Sequence, residues 1–160
     1  MPRPIHLNAH QMAIHNSGLL PESDVTGQMQ LLREHLDHLM SGQPSARVSW
    51  MSMADAANMT ETLAGMRIGG GDDAERVIQE AQESLAEAWQ AAEKRGTWAM
   101  SAQARQTLQE RLEWLLVLHE TQMLAVSIRE YARAFERTRA RMAAARRGQV
   151  GRGVVVVGEM

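Results

Sequence analysis

From Ser101 to Arg147 the chain contains no glycine and no proline, and nothing else in it limits the fold so strongly. These are the two residues that most readily interrupt a helix, so their exclusion, in a stretch rich in Ala, Leu, Glu, Gln and Arg, predicts helix throughout. An unbroken helix here would extend roughly 70 Å at 1.5 Å per residue, longer than a globular domain needs. Ser127 offers a break. With Glu130 it completes the tetrad SIRE, the pattern of a capping box. The sequence leaves one helix and two helices both open.

The middle of this region, WLLVL, places Trp114, Leu115, Leu116, Val117 and Leu118 on every side of a helix. Covering a helix all round takes several neighbours, and a chain of 160 residues has few to spare. These five residues are therefore expected at a subunit interface, and the expected assembly is a homodimer. Further on, Ile128, Tyr131, Phe135, Thr138 and Met142 form a core-facing stripe, while Arg129, Arg133, Arg137 and Arg141 repeat at every fourth position opposite them. Arg146 and Arg147 follow. Like charges at that spacing repel by a few tenths of a kcal/mol per pair, a cost that an anionic partner offsets. A solvated face, phosphate, an acidic segment of this chain and a foreign acidic protein all satisfy the pattern.

One acidic segment is present. Between Asp72 and Glu93 seven carboxylates stand against Arg76, whereas Arg129 to Arg152 holds eight arginines against Glu130 and Glu136. The formal net charge of −2 conceals this asymmetry. Lys94 is the only lysine, so the arginine bias also fits a GC-rich genome.

Upstream, Pro2, Pro4, Gly18 and Pro21 argue for an N-terminal arm over residues 1–23. Residues 24–147 form the expected helical domain. Val25, Leu31, Leu32, Leu36, Leu39 and Met40 define its first helix, stopped by Gly42 and Pro44. In the second, Trp50, Met53, Ala54 and Ala57 lie opposite Met59, Leu63 and Met66, which predicts burial on two sides. Gly69, Gly70 and Gly71 end it; without a following Gly-Lys-Ser/Thr they read as a hinge or C-cap and not as a phosphate loop. Asp72 or Asp73 then caps a third helix, where Val77, Ile78, Ala81, Leu85, Ala88, Trp89 and Ala92 oppose a solvated acidic face. Gly96 and a loop Trp98 precede a cap at Ser101. The fold class is all-α, a helical bundle with long C-terminal helices.

Several chemistries find no support. There is no cysteine, hence no disulfide, thiolate metal site or thiol nucleophile. That composition, with no secretory apolar core near the N-terminus and no apolar run of about 20 residues, predicts a soluble cytoplasmic chain without a membrane partner. HETQM begins like a zinc-protease signature, but Met123 stands where a second histidine is required. His119, on the face of Leu112, Leu115 and Val126, reads as a packed, hydrogen-bonded histidine. Glu34, His35, Asp37 and His38 supply ligand types without any Glu-x-x-His, and His6, His10 and His15 of the arm lack a rigid element to hold a metal. No cofactor, metal ligand or catalytic residue is assigned.

The stretch GTWAMSAQARQTLQERLEWLLVLHETQMLAVSIREYARAFERTRARM, with its loop Trp, aliphatic centre and REY, resembles small helical accessory proteins of bacterial prophages and plasmids. The resemblance spans about Val48 to Arg147. It implies a mobile-element context and carries over no activity and no site residues. Outside it, residues 148–160 form a Gly/Val-rich tail, in which Val154, Val155, Val156 and Val157 favour an extended backbone. Such a run in water invites aggregation. The valines are expected to dock on a groove of the bundle or to add to a partner; a disordered end is the third reading. The functional expectation is a non-enzymatic regulatory or accessory protein that binds another protein, its identity not readable. A nucleic-acid-associated protein using the Arg face is the alternative, and a metal-dependent enzyme the third.

Overall fold

Helix boundaries in this chain follow its local chemistry closely. A computed structural model describes residues 17–69 and 71–147, and over these the fold is all-α, with no strand among the described residues. Helix α1 (Glu22–Met40) starts behind Pro21, with Glu22 and Asp24 placing negative charge at the positive end of the helix dipole. It stops at Ser41 and at Gly42, which takes the left-handed φ of 68°. Helix α2 (Ala46–Gly65) ends in a Schellman-type turn: Arg67 adopts the left-handed φ of 61° and Ile68 N–H reaches back to the Leu63 carbonyl at 3.0 Å. Ile68 is thereby buried.

Helix α3 (Ala74–Arg95) carries the acidic segment and ends at Gly96, φ 67°. Helix α4 (Ala102–Ala125) is capped by Ser101, whose Oγ accepts from Ala104 N–H at 3.2 Å. The Gly- and Pro-free run does divide at Ser127. Ser127 N–H donates to Glu130 Oε1 at 3.0 Å and Glu130 N–H donates to Ser127 Oγ at 3.1 Å, which opens α5 (Ile128–Arg146). The Ser127 amide holds the Glu130 carboxyl below the usual carboxylate range.

Helices α1 to α4 form an antiparallel four-helix bundle in which each packs on the next and α4 returns to α1. Helix α2 also meets α4 across the bundle, and α5 lies along the outer side of α2. Thus α2 is enclosed from four directions, and its small residues Ala46, Ala54, Ala56 and Ala57, all buried, allow the close approach. The expected burial on two sides holds: Trp50 and Met53 enter the main core, while Met59 and Leu63 join Ile68, Val126 and Ala134 in a second cluster beneath α5.

At one end of the bundle Trp50, Trp89 and Trp98 stack together, with Trp50 and Trp89 centroids 4.7 Å apart and Trp50 Nε1–H bonded to the Leu85 carbonyl at 2.8 Å. At the other end the last residues of the arm strap the α4–α5 corner. Ile128 N–H donates to the Gly18 carbonyl at 2.9 Å, and Leu19 pairs with Ser127 as an isolated antiparallel bridge.

Two sequence expectations change here. Leu31, placed in the core of α1 by its spacing, is exposed. Of the inward stripe expected on α5, Thr138 is buried, Tyr131 packs half-buried on the core and Ile128 and Met142 are half-buried, but Phe135 is exposed beneath the Arg139 guanidinium at 5.8 Å and Ala134 is buried in its place. At 100° per residue the helix is rotated by roughly 60° toward Arg141. Ala134 allows a closer approach to α2 than Phe135 would, and the rotation gives Arg141 a carboxylate partner.

Candidate interaction surfaces

The arginine row divides. Arg141 Nη2 donates to Glu61 Oε2 at 2.6 Å and its Nη1 donates to Thr62 Oγ1 at 2.9 Å. Gln82 Nε2 of α3 donates to the same Glu61 oxygen at 3.0 Å, and Thr138 Oγ1 lies 2.8 Å from Thr62 Oγ1. This half-buried network ties α5 and α3 to the same carboxylate oxygen on α2, although α3 and α5 do not pack on each other. Arg141 is thus a structural residue, which corrects its place in a solvent-facing stripe. Nor does the row meet the acidic helix, because Glu61 belongs to α2. Arg129, Arg133 and Arg137 remain exposed and have no ion pair among the described residues, and Arg146 and Arg147 are exposed at the helix end.

Helix α4 presents the second surface. Its inner side, Leu108, Leu112, Leu115, Leu116, His119, Gln122 and Met123, is buried. Of the five expected interface residues, Leu115 and Leu116 belong to the protomer's own core and Leu118 is half-buried. Trp114 and Val117, by contrast, are 65% and 55% exposed, and Leu124 also stands out in solvent. Trp114, Val117, Thr121 and Leu124 fall within roughly 80° of one another on a helical projection, directly opposite the buried side. Apolar residues on both faces explain why α4 has so little amphipathic direction.

Buried polar groups form a third cluster. His119 Nδ1 and Thr60 Oγ1 lie 2.9 Å apart, and Gln122 Nε2 donates to the Thr60 carbonyl at 3.0 Å. Burial lowers the His119 pKa to about 4, so the ring is neutral at pH 7. Among the described residues Gln122 Oε1 finds no donor within reach. Packed, hydrogen-bonded histidine is the correct description, and the cluster links α2 to α4 across the bundle. His35 Nδ1 and His38 Nε2 face Ser49 Oγ at 3.1 Å and Ser45 Oγ at 2.6 Å, which registers α1 against α2. Among the described residues no group of three His, Asp or Glu side chains is arranged to hold a metal ion. No described helix is long and apolar enough to cross a membrane.

A shallow recess of ≈ 280 Å³ lies beside the tryptophan cluster, lined by Pro44, Arg47, Trp89 and Trp98, with the Arg47 guanidinium 5.4 Å from the Trp89 ring. Sequence reasoning found Trp98 as a loop residue but not this cluster, since three tryptophans far apart in the chain carry no periodic signal. The Glu61–Arg141–Thr62 network was equally hidden, because polar residues on helices read as solvated. His6, His10 and His15 of the arm and Val154, Val155, Val156 and Val157 of the tail lie outside the described residues. Compared with protein-family models, curated proteins and solved structures, the chain matches none of them.

Proposed function

We propose that this chain is a non-enzymatic, protein-binding accessory or regulatory protein whose contact surface is the outer face of α4, used first for homodimerisation. One observation carries the reading: a helix that already buries one full side in its own core presents Trp114, Val117 and Leu124 to water on the other. An exposed stripe of apolar residues that includes a tryptophan has the composition of an interface centre, where aromatic anchors supply most of the binding energy. A two-fold axis would pair the stripe with itself and cover both copies at once. The resemblance of residues 48–147 to prophage and plasmid accessory proteins supports a mobile-element context. Light scattering of the intact chain at micromolar concentration is expected to give about twice 17.8 kDa. Val117→Lys should give the single-chain mass with unchanged helical content, and a single-chain mass for the unaltered protein would refute the dimer.

A second reading rests on a separate observation. Arg129, Arg133 and Arg137 stay exposed and unpaired with carboxylates among the described residues, while Arg141 is engaged by Glu61. Phosphate would relieve their mutual repulsion. In that case binding to duplex DNA or RNA falls steeply with salt and disappears in the triple Ala variant of these three residues. No binding at low salt would eliminate it.

A further inference from the structure

Between Ala125, the last residue of α4, and Ile128, the first of α5, stand only Val126 and Ser127. Both are extended, with φ/ψ of −83°/139° and −77°/159°, yet neither is a residue type that forbids a helix. The bend is held by bonds outside the helical ladder. These are the reciprocal pair of Ser127 and Glu130, Ile128 N–H to the Gly18 carbonyl, and Leu20 N–H to the Val126 carbonyl at 3.4 Å. A continuous helix would replace them with ladder bonds from the amides of residues 127–130 to the carbonyls of residues 123–126. Bent and straight forms can therefore both satisfy the hinge backbone. Beyond the hinge α5 packs on α2 and on no other helix, and only Ala134 and Thr138 of its residues are fully buried. The residues beneath it, Met59, Leu63 and Ile68, are all buried and apolar.

We propose that α5 exchanges between two copies of this chain: α4 and α5 straighten into one helix, and each α5 docks on α2 of the other copy. A second copy's α5 fits this seat contact for contact, because it carries the same Thr138 for Thr62 and the same Arg141 for Glu61 and Thr62. Direction permits the exchange as well. Thr138 meets Thr62 and, farther along, the Arg146 charge faces Asp55, so α5 runs antiparallel to α2. Val126 packs with Leu63 and Ile68, which places the hinge at the end of the bundle where α2 also stops. Straightened, the 19 residues of α5 project roughly 28 Å past that end. A copy turned end over end about a two-fold axis brings its α2 there in the opposite sense, which restores the antiparallel pairing and uses both α5 helices. A short hinge between a docked helix and its bundle is the usual setting for such an exchange. The surface involved is the α5 seat on α2, so exchange stands apart from the α4 contact proposed above.

The chain has no cysteine, so disulfide trapping reads the exchange directly. Thr62→Cys and Thr138→Cys are made in separate chains, each also carrying Val117→Lys to disable the α4 face. Without exchange each new thiol is buried between its own α2 and α5 and cannot meet the other. Mixed at millimolar concentration, held below the unfolding temperature and then oxidised, the two proteins are expected to give a covalent heterodimer linked between positions 62 and 138. Its yield should be several-fold higher than at micromolar concentration, and Ser127→Ala in both chains, which removes the capping box that holds the bend, should raise it several-fold again. No such heterodimer, with both chains helical by circular dichroism, would overturn the proposal, and a yield indifferent to Ser127→Ala would overturn the straightened hinge. A locked chain gives an independent reading. Thr62→Cys and Thr138→Cys placed together and oxidised at high dilution tie α5 to its own α2. The Val117→Lys protein kept at millimolar concentration should accumulate a species of about twice 17.8 kDa by light scattering. The locked form of that protein should keep the single-chain mass, and the same doubled mass in the locked form would contradict exchange.

Discussion

Gly69→Ala and Gly65→Ala, four residues apart at the end of α2, should change stability in opposite directions. Gly69 holds a left-handed φ of 65°, and a Cβ added there would stand 2.8 Å from Gln122 Cγ and 3.2 Å from Gln122 Cα. The left-handed backbone costs an alanine roughly 1–2 kcal/mol. Overpacking against a helical backbone adds about 1–3 kcal/mol, and the stiffer unfolded chain returns about 0.4–1 kcal/mol. The balance is a loss of roughly 2–3 kcal/mol, about 5–10 °C in Tm for a chain of this size. Any shift of Gln122 also stretches its bond to the Thr60 carbonyl and disturbs His119 one turn away. Gly65 lies in the last turn of α2, where an added methyl group would meet nothing within 4 Å; Ala there should stabilise by about 0.4–1 kcal/mol. Urea unfolding followed by far-ultraviolet circular dichroism separates the two. A Gly69→Ala protein as stable as the unaltered chain would refute the packing of this turn on α4.

Acid should weaken the fold through His119. The unfolded imidazole takes its proton near pH 6.5, but the buried one only near pH 4; between these values the unfolded state binds more protons, so stability falls as pH falls. The loss approaches about 3 kcal/mol at pH 4, and His119→Gln should remove that part of the pH dependence of urea unfolding. Arg141→Ala should cost about 1–2 kcal/mol by leaving Glu61 with Gln82 alone, whereas Arg133→Ala, in the same four-residue row, should fall within about 0.5 kcal/mol of the parent by the same measurement. Ser127→Ala breaks the capping box, and a fall in stability of about 1 kcal/mol is expected in thermal unfolding.

How far such features can be read in advance depends on where their information lies. The break at Ser127 is local: a serine, a glutamate three positions later and the geometry of a first helical turn suffice, and the reciprocal bonds form as the tetrad implies. His119 was legible for a related reason, because its neighbours at helical spacing are Leu112, Leu115 and Val126, all buried. The face of α5 was legible only in part: Thr138 is buried and Tyr131 packs on the core as their spacing implies. Periodicity favours the bulky Phe135, but the structure turns inward the small Ala134 and pairs Arg141 with Glu61, a residue eighty positions earlier that no local pattern connects to it. WLLVL shows both limits in one segment. Its apolar character on all sides is real, but the sequence assigned the whole segment to a partner, whereas Leu115 and Leu116 enter the chain's own core and leave Trp114 and Val117 outside. Which half of such a helix faces inward is decided by the other helices, not by the helix itself.

The outer face of α4 can be tested where it matters, at Trp114. Of the four tryptophans, Trp50, Trp89 and Trp98 pack together at one end of the bundle, and Trp114 stands apart and exposed. In a chain labelled with 5-fluorotryptophan, Trp114→Phe identifies its fluorine resonance, and a dilution series from high to low micromolar concentration is then recorded. Covering this face in a dimer predicts that the Trp114 resonance moves with concentration while the other three hold still, and that Val117→Lys abolishes the movement. A Trp114 resonance constant across the series, with a single-chain mass at every concentration, would contradict the account.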